Sequence, residues 1–148
     1  MRITTCQVAV WPNQVKAFIF ITAKKYISAD TLQLRKVPGV GTYYSQQIVQ
    51  YGQRLGGYAD VSQLMEIDGF PEEALKYFRV DRSQVHKLNM NKATMSPLRR
   101  HPYLNFYQAR AIVDYRRLHG KLNSLDDLSL HPDFPQEALR RLEPYVEF

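Results

Sequence analysis

The chain has 148 residues, 45% hydrophobic and 23% charged, and 20 Lys and Arg against 14 Asp and Glu give a formal net charge of +6. That balance fits one ordinary soluble domain or two very small ones, with a bias toward phosphate or acidic partners. A single cysteine, Cys6, excludes an intrachain disulfide and fits a reducing compartment; the dispersed His86, His101, His119 and His131 have no metal-ligand spacing.

The first 27 residues stand apart from the pattern that organises the rest. Their longest apolar stretch, Val15 to Ala23, is interrupted by Lys16. It falls short of the roughly 20 apolar residues a membrane span needs. It also lacks the basic start and small-residue cleavage site of a signal peptide. Ala17 to Ala23 reads as either a β-strand or a short packing helix.

From residue 28 onward the sequence repeats itself. Shifted by 64 places, residues 28–79 lie on 92–143 without a gap, with fifteen identities. They include Leu34/Leu98, Arg35/Arg99, Pro38/Pro102, Tyr43/Tyr107 and Gly56/Gly120. The blocks Ile48-Val49-x-Tyr51 and Ile112-Val113-x-Tyr115 coincide, as do Phe70-Pro71-x-Glu73-Ala74-Leu75 and Phe134-Pro135-x-Glu137-Ala138-Leu139. The expected division is an extension (1–27), a first unit (28–80), a linker (81–91) and a second unit (92–148).

Each copy reads as four short helices. In the first, Asp30 is placed to cap a short helix ending near Lys36. Pro38-Gly39-Val40-Gly41 breaks that helix. A longer helix follows over roughly 42–55, with Ser45, Ile48, Val49 and Leu55 at helical spacing, and Gly56-Gly57 stops it. Asp60 starts another short helix through Leu64. A turn at Asp68-Gly69-Phe70-Pro71 leads into a last helix with Ala74, Leu75 and Phe78 inward, and Pro71 suits its first turn. The second copy places helices near 94–100, 105–118, 124–130 and 135–142. Among the tyrosines, Tyr43, Tyr44, Tyr103 and Tyr107 sit beside hairpins, where a ring can stack on a base or donate to phosphate, but Tyr51, Tyr107 and Tyr115 are expected in the core.

A helix, a Gly-rich turn and a second helix form an anion site by geometry. The first amides of the second helix lack intrahelical partners, and the helix dipole adds positive charge there. Val37-Pro38-Gly39-Val40-Gly41 has this form. Val37 and Val40 would anchor the turn, and the amides of Gly41, Thr42 and Tyr43 would face a phosphate oxygen. Such contacts touch backbone and do not read base sequence.

These residues resemble the helix-hairpin-helix family, and in particular the ComEA-like competence DNA receptors of bacteria. The likeness rests on Leu34-Arg35-Lys36-Val37-Pro38-Gly39-Val40-Gly41, Ile48-Val49-x-Tyr51, Gly56-Gly57-Tyr58 and Leu64-x-x-Ile67-x-Gly69-Phe70. In the second copy it rests on Leu88-Asn89-Met90-Asn91-Lys92-Ala93-Thr94, Ile112-Val113-x-Tyr115-Arg116 and Gly120. It covers residues from about 25 to 148. It implies an all-α fold of tandem double helix-hairpin-helix units, short-helix bundles like those of SAM domains. It also implies sequence-independent binding to double-stranded DNA along the minor-groove backbone, without catalysis. The expected DNA-binding residues are Arg35, Lys36, Pro38, Gly39, Val40, Gly41, Thr42, Tyr43, Gly69, Arg99, Arg100, Asn105 and Arg110. No cofactor is expected. Some family members hold a monovalent cation on hairpin carbonyls, which would fall here near Val37, Gly39 or Val40. ComEA-like receptors are membrane-anchored, so the resemblance points to DNA uptake. No anchor is visible in this sequence; the cytoplasm is favoured, with export or membrane association if the chain is a truncated form.

The other hairpins depart from the pattern. In Ile67-Asp68-Gly69-Phe70-Pro71 a proline removes one amide. His101-Pro102-Tyr103-Leu104-Asn105 has no glycine, although asparagine tolerates the left-handed conformation. His131-Pro132-Asp133-Phe134-Pro135 puts a carboxylate in the turn. Arg99, Arg100, Arg110, Arg116, Arg117 and Lys121 cluster around the third hairpin, either tracking phosphates or forming a solvated face with an ordinary Arg110–Asp114 pair. Asp60 fits a cap better than a glycosylase-type acid, because no Lys follows and the motif order is wrong. The chain is also short for a base-flipping pocket. Adjacent Asp126 and Asp127 point apart on a helix. The rival to DNA binding is a protein-interaction scaffold with degenerate hairpins, docking a partner through Phe18-Ile19-Phe20-Ile21.

Overall fold

Each copy of the repeat folds as two helices around a tight turn, then two shorter helical segments around a second turn. The computed structural model describes residues 19–21 and 27–148, and the chain divides into one unit running to Val85 and another beginning at His86. The fold is all-α, as the repeat and its turn residues predict, with short strands only at the edges of each unit.

In the first unit β1 (Ile19–Ile21) precedes α1 (Ile27–Leu34) and α2 (Thr42–Leu55). Helical segments of the tighter 3-10 type follow at Val61–Glu66 and Glu72–Tyr77, then β2 (Phe78–Val80). The core gathers Leu34, Val40, Ile48, Leu55, Leu64 and Phe78, all at or below 3% exposure. Helix α2 ends where Gly56, at φ +86°, turns left-handed, and the amides of Gly56 and Gly57 both close on the Gly52 carbonyl, at 3.0 and 2.8 Å. Gly52 itself lies under the Tyr58 ring, where a Cβ would come within 2.8 Å of a ring carbon. The buried Tyr58 hydroxyl donates to the Ile48 carbonyl.

In the second unit β3 (Leu88–Asn89) leads into α3 (Met95–Arg100) and α4 (Phe106–His119). A 3-10 turn at Leu125–Leu128, α5 (Gln136–Leu142), another 3-10 turn and β4 (Val146–Glu147) complete it. Its core holds Met90, Leu98, Ile112, Leu122, Leu128 and Leu142, each at 1% exposure or less.

Four expectations are resolved or altered. Helix α1 begins at Ile27, so Asp30 lies inside it and does not cap it; no proline or glycine between 27 and 34 interrupts the turn. The segment expected as strand or helix over 17–23 contains a strand at 19–21, paired in parallel with β2, Ile19 opposite Phe78 and Ile21 opposite Val80. The backbone of Ile19-Phe20-Ile21 is therefore engaged within its own unit; Phe18 and the flanks of that segment lie outside the described residues. Phe78 is inward, but from β2 and not from a helix. Finally, Tyr107 is 68% exposed, because the inward positions in the first turns of α4 are taken by Gln108, Ala109, Ala111 and Ile112. Tyr51 and Tyr115 are half-buried.

The extension also has a structural counterpart that the repeat does not contain. Strands β3 and β4 pair in parallel, Leu88 opposite Val146, just as β1 pairs with β2. Both units are thus clasped by a strand before their first helix and a strand after the helical segments of the repeat, with a 3-10 turn at Arg82–Gln84 following β2 in the first unit. A backbone ladder of two or three residues needs no particular side chains, so the clasp leaves no identity in the repeat.

Candidate nucleic-acid interface

The first hairpin is held from below by apolar burial. Val37 and Val40 are 5% and 3% exposed, and the Val40 amide donates to the Val37 carbonyl at 3.0 Å. Burying each valine contributes on the order of 1.5–3 kcal/mol, enough to fix the turn without help from side-chain bonds. Gly39 at its apex has φ +86°, a conformation that favours glycine. Gly41 is the N-cap of α2 at φ −85° and ψ −170°, ordinary extended backbone, and a Cβ built there would meet nothing within 4 Å.

No side chain caps α2, and the amides of Gly41, Thr42 and Tyr43 donate to no described residue. Pro38, Gly39, Gly41, Thr42 and Tyr43 are all exposed around them, while Val40 is buried beneath. Fourteen residues of aligned peptide dipoles stand behind this end of the helix. Arg35 and Lys36 are exposed on the turn, and neither is ion-paired among the described residues. The Val37 carbonyl, one of the three considered for a cation, already accepts from Val40.

The second hairpin lies beside the first. Pro71 Cγ is 3.4 Å from the place a Cβ on Gly39 would occupy, and the Tyr44 hydroxyl donates to the Gly69 carbonyl at 2.5 Å. Gly69, expected as a phosphate contact, has its carbonyl held by Tyr44, while its amide donates to no described residue. The segment it leads into has six residues, with Glu72 and Glu73 in its first turn. Its local charge is negative, and its contacts brace the first hairpin.

The third hairpin keeps the fold and loses the cradle. His101 and Leu104 occupy the positions of Val37 and Val40 and are 6% and 4% exposed. Asn105, a residue able to turn left-handed, sits instead in extended backbone at φ −86° and ψ 176° and caps α4. Its side-chain oxygen accepts from the Gln108 amide at 2.8 Å, and Gln108 Oε1 accepts from the Asn105 amide at 3.0 Å. This reciprocal box occupies the Asn105 amide, the equivalent of Gly41's, and the Gln108 amide one position beyond the set; the amides of Phe106 and Tyr107 donate to no described residue. Gln108 Nε2 then donates to the Asp133 carbonyl at 2.8 Å. Positions 44 and 108, and 69 and 133, are equivalent in the repeat, so a tyrosine hydroxyl and a glutamine amide make the same tie between neighbouring hairpins.

The arginines do not act alike. The Arg99 guanidinium lies 5.4 Å from the Phe106 ring centroid, and Arg100 is exposed next to it. Arg110 and Arg117 both pair with Asp114 at 3.5 Å, on exposed side chains, so the pairing holds each only weakly. Arg116 turns inward and donates to the Met90 and Ala93 carbonyls at 3.0 and 2.7 Å, tying α4 to the segment before α3. The fourth hairpin carries Asp133 beside His131, 3.6 Å apart.

Asp60 is a cap. It accepts from the Ser62 amide at 2.8 Å and the Ser62 hydroxyl at 2.6 Å, while Gln63 accepts back from the Asp60 amide. The two Ser62 donors, with Arg82 beside them, hold its carboxyl below the usual carboxylate range. Ser124 and Asp127 form the same box at the equivalent place in the second unit. Sequence reasoning did not single out Gln108 or Arg82. The exchange of Tyr44 for Gln108 has no chemical likeness by which to be found, and Arg82 lies beyond the repeat.

The family described as helix-hairpin-helix motif matches this chain twice, over residues 28–79 and 83–147. A Mus musculus protein, Endonuclease/exonuclease/phosphatase family domain-containing protein 1, is 26% identical over 134 residues. The match takes in 68% of this chain and 24% of that relative, so the chain spans about a quarter of its length. No solved structure matches.

Proposed function

We propose that this chain, which belongs to the helix-hairpin-helix family, is a non-catalytic module that holds double-stranded DNA by its phosphate backbone through the first hairpin. The observation that carries the reading is the uncapped N-terminus of α2, exposed above two buried valines. A phosphate oxygen there meets the Gly41, Thr42 and Tyr43 amides and the positive end of a fourteen-residue helix, with Arg35 and Lys36 to add attraction. The mode is that of the ComEA-like receptors, capture without base readout, and serves DNA uptake or repair equally. The relative's name speaks of nuclease and phosphatase chemistry for the whole of that protein. In this chain Asp60 and Asp127 are engaged in helix caps. No described helix is long and apolar enough to cross a membrane.

The test is Gly41→Asp. The site accepts a side chain, because φ is ordinary and the Cβ meets nothing. An aspartate there caps α2 and stabilises it by about 1 kcal/mol, yet it fills the cradle with a carboxylate. The expected outcome is an unchanged or higher melting temperature with duplex affinity lowered at least tenfold in a gel shift with random-sequence DNA. Unchanged duplex affinity refutes the reading. The protein scaffold, favoured at the second unit by its capped third hairpin, is what remains if no oligonucleotide binds.

A further inference from the structure

The third hairpin exposes a different kind of surface from the first. Phe106 and Tyr107, the first two residues of α4, are 46% and 68% exposed, with ring centroids 5.6 Å apart at 80°. The Arg99 guanidinium stands against the Phe106 ring, and Arg99 and Arg100 share an open depression with Met95 and Ser96. Arg110 is exposed one turn along α4, with Asp114 the acid paired to it. The amide donors of this turn are partly taken by the Asn105–Gln108 box. Rings and guanidinium planes are therefore what the surface offers, where the first hairpin offers amides.

We infer that Phe106 and Tyr107, flanked by Arg99, Arg100 and Arg110, form a stacking platform for unpaired bases of a single-stranded nucleic acid. Every base has a π face, and a duplex hides those faces in its own stack. A single strand presents them, together with phosphates spaced for the guanidiniums. The charge is complementary: Arg99 stands against the Phe106 ring, Arg100 shares its depression, and Arg110, one turn along α4, pairs with Asp114 only across exposed side chains. At the equivalent positions the first hairpin has Thr42 and an exposed Tyr43, whose ring meets that of the half-buried Tyr44, so of the two hairpins only the third has both rings of its pair exposed. This goes beyond duplex capture by the first hairpin and stands independently of it.

The experiment measures binding of the full chain to a labelled single-stranded oligothymidylate and, separately, to random-sequence duplex, by fluorescence anisotropy. Phe106→Ala/Tyr107→Ala is expected to weaken oligothymidylate binding at least tenfold and leave duplex binding within twofold. Phe106→Leu/Tyr107→Leu, which keeps apolar bulk, is expected to lose single-strand binding as well. Phe106→Tyr/Tyr107→Phe is expected to retain it. Gly41→Asp is expected to do the reverse, losing duplex and keeping the single strand. Wild-type protein that ignores oligothymidylate, or a leucine variant that binds as well as wild type, overturns the platform; the latter result assigns the patch to apolar protein contact. Failure of Gly41→Asp to affect duplex bears only on the first hairpin.

Discussion

Gly39 and Gly41 occupy one turn for different reasons. Gly39 is needed for its backbone: at φ +86° an alanine costs roughly 1–2 kcal/mol. Its new methyl would also touch Pro71 of the second hairpin. Gly39→Ala is therefore expected to lower the unfolding free energy of the first unit by that amount in a denaturant titration. On the proposed reading Gly41 matters for what it lacks, since a side chain there meets nothing in the fold and would obstruct only a bound anion. Asp60 illustrates a titrating cap. Its carboxyl is held low by the Ser62 hydroxyl and amide, so its contribution to stability is complete above the unfolded value of about 3.9. That contribution is lost as pH falls through the lower folded value. Asp60→Asn is expected to flatten the acid limb of a melting-temperature profile taken downward from about pH 5; an unchanged limb means the cap bonds contribute little.

At the scale of elements, the two copies reach one geometry with different chemistry. The hairpins of each unit are tied through position 44 or its equivalent 108, by a tyrosine hydroxyl in one and a glutamine amide in the other. Tyr44→Phe removes one hydrogen bond and is expected to cost about 1 kcal/mol. Gln108→Ala removes both the tie and half of a capping box at a 7% exposed position, and is expected to cost about 1–3 kcal/mol. Chemical denaturation of the two variants checks the order; equal losses mean that the Gln108 cap is dispensable. The helix order and the turn residues were legible because proline, glycine and buried-position spacing act locally. Which turn carries a usable cradle was not legible, because it depends on whether residue 41 or 105 brings a side chain back onto its own helix. Asn105 does so from extended backbone, making no use of the left-handed conformation it tolerates.

Across the whole molecule, the net charge of +6 sets a modest attraction to any polyanion. Its salt dependence counts which arginines and lysines take part, at about 0.9 in slope per neutralised duplex phosphate. Arg35 and Lys36 alone predict a slope of roughly −2 in log affinity against log salt; joined by Arg99 and Arg100, roughly −4. A duplex titration across several salt concentrations is expected to give the smaller figure, because the second unit is built for unpaired bases. A slope near zero is incompatible with phosphate capture. Sequence alone determined the repeat, the all-α class, the buried valines of the first turn and the family, since each follows from periodicity and turn chemistry along a short stretch of chain. Tertiary structure decided the rest: the clasping strands at the edges of each unit, the inward turn of Arg116, the exposure of Tyr107 and the plugging of the third hairpin. All of these depend on which groups meet across the fold, and hydrogen-bond partners 23 to 26 residues away, as for Arg116, leave no local pattern to read.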